Sequence, residues 1–158
     1  ILIAMLPLAA SAERPGQYWG LNVDAAELDT PNDRRGNGTN LGLHVGYHFT
    51  DFLAAEVQVG GGNTDVSDGV RYAGAFGRFN LPFEQVNVYL LAGGAAVSFD
   101  QGPTEDRETE TDLAAGVGVE LFGNERTAVR LEYTNLADGT YEKLGLGFVH
   151  HFDWPAFR

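Results

Sequence analysis

The stretch "TNLGLHVGYHF", residues 39–49, alternates with a period of two. Leu41, Leu43, Val45, Tyr47 and Phe49 share one parity, and Asn40, Gly42, His44, Gly46 and His48 share the other. Successive residues of a strand point to opposite faces, so this is a strand with one greasy face and one small or polar face. A water-soluble β-protein hides the greasy face inside, whereas a membrane barrel turns it outward. One strand cannot decide between them, and the rest of the chain has to.

The same alternation recurs along the sequence, interrupted by Gly, Asn, Asp and Pro. It predicts strands over residues 16–28, 39–50, 52–61, 70–81, 86–99, 111–122, 127–136 and 141–152. Each is about ten residues or slightly longer, the length a tilted strand needs to cross a bilayer, whereas soluble strands usually run to about five or six. Helical periodicity and long apolar runs are missing after residue 13. The connections alternate in length: "FTDF", "LPFEQVN" and "FGNERT" are short, while "DTPNDRRGNG", "GGNTDVSDG" and "QGPTEDRETE" are longer and polar. An up-and-down membrane barrel with tight periplasmic turns and longer outward loops has this asymmetry. "LADGT" is the exception, short where a long loop is expected.

Extending the two parities through the chain sorts the side chains. The greasy face adds Leu53, Val57 and Val59, then Leu113, Val117, Val119 and Leu121, then Val129, Leu131 and Tyr133, then Leu144, Leu146, Phe148 and Phe152. The other carries His44, His48, Glu56, Gln58, Arg78, Glu120, Arg130 and Glu132, padded by Gly42, Gly46, Gly116, Gly118, Gly145 and Gly147. An eight-stranded cylinder has room inside only for side chains or one small ligand. The greasy set is too bulky for it; glycines and paired charges are not. Closure also leaves no backbone group unpaired in hydrocarbon, which an open sheet would do. The fold expected is therefore an all-β, eight-stranded, antiparallel, up-and-down transmembrane barrel over residues 13–152. Aromatics near the strand ends read as interfacial girdles: Tyr18, Trp19, Tyr47, Phe49, Phe79, Phe83, Tyr89, Phe99, Phe122, Tyr133, Phe148 and Phe152.

Composition narrows the function. Lys+Arg 10 against Asp+Glu 22 gives a formal net charge of -12, which argues against nucleic acid as a partner. Cysteine is absent, so disulfides and thiolate metal sites do not arise. The opening "ILIAMLPLAASA", residues 1–12, reads as a residual signal peptide ending in the small-x-small pattern Ala10-Ser11-Ala12, and residues 153–158 read as a C-terminal tail.

The last two strands, "VRLEYTNL" and "KLGLGFVHHF", resemble those of small bacterial outer-membrane barrels of the OmpA/OmpX type. Arg130, Glu132 and Tyr133 match an Arg-x-Glu-Tyr-like penultimate strand, and Phe148 with Phe152 match an aromatic-ended final strand. The resemblance implies a place in the bacterial outer membrane among lipid and lipopolysaccharide. It also implies that Phe148 and Phe152 form the signal read by the barrel-insertion machinery. One departure is that "DWPAFR" follows Phe152.

Two groups of residues are candidates for a site. The inward charges Glu56, Arg78, Glu120, Arg130 and Glu132 must pair, because an isolated buried charge is very costly. They read as a plug of salt bridges, with a gated ion pathway as the alternative. The acidic loop at residues 100–112, with Asp100, Glu105, Asp106, Glu108, Glu110 and Asp112, reads as a solvated loop or a weak Ca²⁺ or Mg²⁺ contact. "GGGNT", residues 60–64, reads as a flexible strand end. His44 and His48 lie about 13 Å apart along one face, too far for one metal ion, and adjacent His150 and His151 face opposite ways. Beyond the leader, Ser67 and Ser98 sit in no nucleophile elbow. The reading is a non-enzymatic barrel without cofactor or metal, its structural, adhesive or protective role carried by outward loops toward an unknown extracellular ligand. The alternatives are a small pore or transporter of small or hydrophobic solutes, and a soluble lipocalin-like carrier, which "GQYWG" resembles only loosely.

Overall fold

The structure, a computed structural model, describes residues 16–29, 35–65, 67–100 and 107–152. The expected leader at residues 1–12, the tail at 153–158, and Glu105 and Asp106 of the acidic loop lie outside the described residues. Eight strands follow in chain order: β1 (Gln17–Asp29), β2 (Arg35–His48), β3 (Leu53–Thr64), β4 (Ser67–Pro82), β5 (Val86–Asp100), β6 (Arg107–Phe122), β7 (Thr127–Leu136) and β8 (Tyr141–Phe152). Each pairs antiparallel with its neighbours, and β8 pairs back onto β1, closing the barrel. Among the described residues no helix is long and apolar enough to cross a membrane.

Local side chains supply the turns at one end. Thr50 Oγ1 accepts from the amides of Phe52 at 3.2 Å and Leu53 at 3.0 Å. Asn124 Oδ1 accepts from those of Arg126 at 2.9 Å and Thr127 at 2.8 Å. Such side chains stand in for ladder partners where the backbone reverses. This end, which also holds Gln17 and Phe152, is the turn end; the opposite one is the loop end.

The ladders at the loop end run further than the alternation predicts. β2 starts at Arg35, β3 takes in residues 60–64, and β6 starts at Arg107. Glu108, Glu110 and Asp112 therefore lie on a strand and not in a loop, and "GGGNT" is paired strand. Cross-strand backbone bonds carry these stretches past the belt, where side-chain polarity no longer alternates.

The greasy parity faces outward. Leu41 is 69% exposed, Leu113 75% and Leu146 59%, while Arg78 is 1% exposed and Arg130 2%. From Leu41 on β2 to Phe49, just past its end, the belt covers about 27 Å of extended chain. At a tilt of about 40° that is about 20 Å in height, close to the apolar band of a membrane barrel. Four expected girdle residues are corrected: Tyr18, Tyr89 and Phe99 are buried in the lumen, and Phe122, in step with buried Glu120, packs on the lumen residue His151 at the turn end. They fall on the inward parity of strands whose two faces are both partly apolar, so chemistry alone did not mark them.

The short β7–β8 connection is held between its neighbours. Asp138 N donates to Leu113 O at 3.1 Å, and Asp29 N to Thr140 O at 2.9 Å. Ala137, Asp138 and Gly139 have φ of 51°, 51° and 93°. A β-branched residue is strongly disfavoured in that region, so Ala137→Val should destabilise the barrel by about 2 kcal/mol, read as a lower urea midpoint in a reversible folding assay.

Candidate functional site

The lumen is filled in three tiers. At the turn end Tyr18, His48 and His151 pack together, the two imidazoles stacked with centroids 5.6 Å apart and Tyr18 4.9 Å from His48. Phe122 closes on His151 at 5.4 Å. At the loop end Leu28, Val97, Phe99, Leu136 and Ala137 belong to one buried apolar cluster. Between them lies the ionic tier.

The five charges singled out by parity meet there. Arg78 Nη1 lies 3.1 Å from Glu56 Oε2, and its Nη2 2.7 Å from Glu120 Oε2. Arg130 Nη2 lies 2.7 Å from Glu56 Oε1 and also pairs with Glu132. Neutral donors complete the carboxylates: Tyr18 OH donates to Glu56 at 2.6 Å and Tyr89 OH to Glu132 at 2.7 Å. Gln58 Nε2 donates to both at 2.8 Å. The Arg78 guanidinium also stacks 3.7 Å from the centroid of the Tyr89 ring, a desolvated cation–π contact.

Close approach explains several inward glycines. A Cβ on Gly46 would lie 2.2 Å from the Tyr18 ring, and one on Gly118 2.2 Å from that of Tyr89. Each glycine thus makes room for the tyrosine paired beside it, Tyr18↔Gly46 and Tyr89↔Gly118, whose hydroxyl reaches the network.

Two buried charges lie outside the predicted set. Lys143 Nζ lies 3.6 Å from Glu132 and 3.8 Å from Asp24, and Tyr72 OH donates to Asp24 at 3.1 Å. Both could have been found by parity, since Lys143 is in step with Gly145 and Gly147, and Asp24 with Gly20 and Asn22. Among the described residues the lumen then holds four carboxylates, Asp24, Glu56, Glu120 and Glu132, against three cations, Arg78, Arg130 and Lys143.

The remaining candidates are dispersed. His44, His48 and His151 are buried inside, and His150 on the other face lies 3.3 Å from Thr127 Oγ1. Glu110 accepts from the Thr140 hydroxyl, and Leu113 N donates to Asp112 Oδ1 at 2.7 Å. The side chain of Asp100 lies outside what is described. Among the described residues no three His, Asp or Glu side chains converge as metal ligands. Phe148 stands on the outer face, 5.3 Å from Trp19 and edge-on to it, while Phe152 is half-buried beside Gln17.

A model of the outer membrane protein β-barrel domain matches residues 1–152. The chain belongs to that family. Like other outer membrane β-barrels it sits in the bacterial outer membrane, and its exposed belt meets lipid. No curated protein sequence matches it significantly. Solved structures share the fold of this outer membrane barrel at low identity. Neisserial surface protein A is 18% identical, with a TM-score of 0.70 over 87% of this chain and 97% of that one. The N-terminal barrel domain of Pseudomonas aeruginosa OprF is 15% identical, with a TM-score of 0.64 over 84% and 97%. Ail, the attachment invasion locus protein of Yersinia pestis, is 16% identical, with a TM-score of 0.61 over 87% and 99%.

Proposed function

We propose that this outer membrane barrel is a sealed, non-enzymatic platform whose loop end faces outward in a structural, adhesive or protective role. The observation that carries the reading is the filled lumen. The ionic tier lies between the aromatic–histidine tier and the apolar cluster of Leu28, Val97, Phe99 and Leu136, so described side chains stack across the lumen at three levels. A rigid barrel of this kind positions what it displays and leaves specificity to its outward segments. Neisserial surface protein A is named for the surface and Ail for attachment and invasion, which agrees with this class of role. In the same reading Phe148 and Phe152 form the insertion signal, and lipopolysaccharide surrounds the outer rim.

Single-channel recording in a planar bilayer tests it. The barrel should give no persistent openings, and Arg130→Ala should give none either, because the apolar tier remains. Persistent, salt-dependent openings of the unaltered barrel would favour the transport reading instead.

A further inference from the structure

The charges of the lumen form one chain in which the signs alternate. Glu120 meets Arg78, which meets Glu56; Glu56 meets Arg130, which meets Glu132; and Glu132 meets Lys143, which meets Asp24. Built on three cations, the chain begins and ends on a carboxylate, and this is where the excess negative charge among the described residues arises. Glu56 and Glu132 each lie between two cations, whereas Asp24 and Glu120 have one apiece. Asp24 is completed by neutral donors, Asn22 Nδ2 to its Oδ1 and Tyr72 OH to its Oδ2. Glu120 is not completed.

Arg78 Nη2 and Asn87 Nδ2 both approach Glu120 Oε2, at 2.7 Å and 3.0 Å. Glu120 Oε1 has no partner, and among the described lumen carboxylates this is true of Glu120 alone. Asn87, directly opposite in the register, has the same deficit: its Nδ2 also donates to Asn80 Oδ1 at 2.9 Å, but its Oδ1 accepts from no group. Both side chains belong to residues that are fully buried. A buried acceptor left unmade is costly, more so when it is charged. A carboxylate oxygen and an amide oxygen on neighbouring strands thus lack a partner in a lumen that is short of one positive charge. Water would supply hydrogen bonds but not the charge. Hard cations take oxygen ligands of these two kinds, and the charge count selects the valence, because a divalent ion would leave an excess of the opposite sign. The pair stands next to Val86↔Leu121, the last pair of the β5–β6 ladder at the turn end, so an ion has a short way to travel.

We propose that the lumen binds one monovalent cation at Glu120 Oε1 and Asn87 Oδ1, near the turn end, and that this ion completes the charge balance of the plug.

Urea unfolding of the refolded barrel in uncharged detergent tests it. Sodium chloride is compared, at constant pH and ionic strength, with the chloride of N-methylglucamine, a cation too bulky for the site. Replacing the bulky cation by sodium should raise the midpoint. Above the dissociation constant each tenfold rise in sodium should lower the unfolding constant about tenfold, the dependence of a single bound ion. The side-chain amide signals of Asn87 should move with sodium and stay put with the bulky cation. Glu120→Gln keeps the shape and removes the excess charge, and should unfold at the same midpoint in both salts. Should that variant not fold, Asn87→Leu serves instead and should lose most of the sodium dependence. Equal midpoints for the unaltered barrel in the two salts, or a sodium dependence that Glu120→Gln retains, would overturn the proposal. So would a midpoint that follows pH but not sodium, which would put a proton on a lumen carboxylate or on His44, His48 or His151 in place of the ion. None of these outcomes depends on what the outward segments hold, so the platform reading stands or falls separately.

Discussion

Arg130→Ala should destabilise the barrel by about 3–5 kcal/mol, the cost typical of breaking a buried ion pair from one side. The guanidinium touches both Glu56 and Glu132, and Tyr89 OH accepts from its Nε at 2.5 Å. Without it, four buried carboxylates face two cations, Arg78 and Lys143. The loss comes from stranded negative charge and not from packing alone, so neutralising a partner should restore part of it. Arg130→Ala with Glu56→Gln should be less destabilised than the sum of the single variants, with a coupling of about 1–3 kcal/mol. Reversible urea unfolding in detergent or lipid measures all three. A cost under about 1 kcal/mol for Arg130→Ala would mean that water reaches the network.

The outer face gives the second large effect. Leu43→Arg places a cation in the lipid-facing belt, beside Leu21 and Val59 in the register, and should cost about 2–4 kcal/mol. Gln58→Arg, on the inward parity of the adjacent strand, should be milder, because Gln58 already lies between Glu56 and Glu132 and the lumen carries one excess carboxylate. The same assay applies. Equal penalties at the two positions would contradict the assignment of faces.

The facing of β2, β3, β7 and β8 was legible because their polarity alternates cleanly. His44, Glu56, Arg130 and Glu132 are inside, and Leu41, Val57, Leu131 and Leu146 are outside, as parity requires. Strand β5 is different. Leu91, Val97 and Phe99 point inward and Val88, Leu90 and Ala92 outward, so both faces are apolar and only the register fixes which is which. The apolar loop-end tier was hidden for that reason, and with it the lumen positions of Tyr89 and Phe99. Tyr18 was misplaced because a tyrosine near a strand end suits an interfacial girdle as well as a buried hydroxyl. The limits of β6 were blurred because Thr109, Glu110 and Thr111 do not alternate between greasy and polar. What holds them in a strand is backbone pairing to Ser98, Val97 and Ala96, which side-chain chemistry does not reveal.

Leucines on the two faces give the most direct measurement. With methyl-labelled barrel in lipid nanodiscs, a nitroxide on the lipid acyl chain should strongly broaden the NMR signals of Leu43, Leu131 and Leu146. Those of Leu28, Leu91 and Leu136 should stay sharper, because the wall shields them. Strong broadening of the second set with sparing of the first would contradict a barrel that turns its greasy face to lipid and its charges to its own axis.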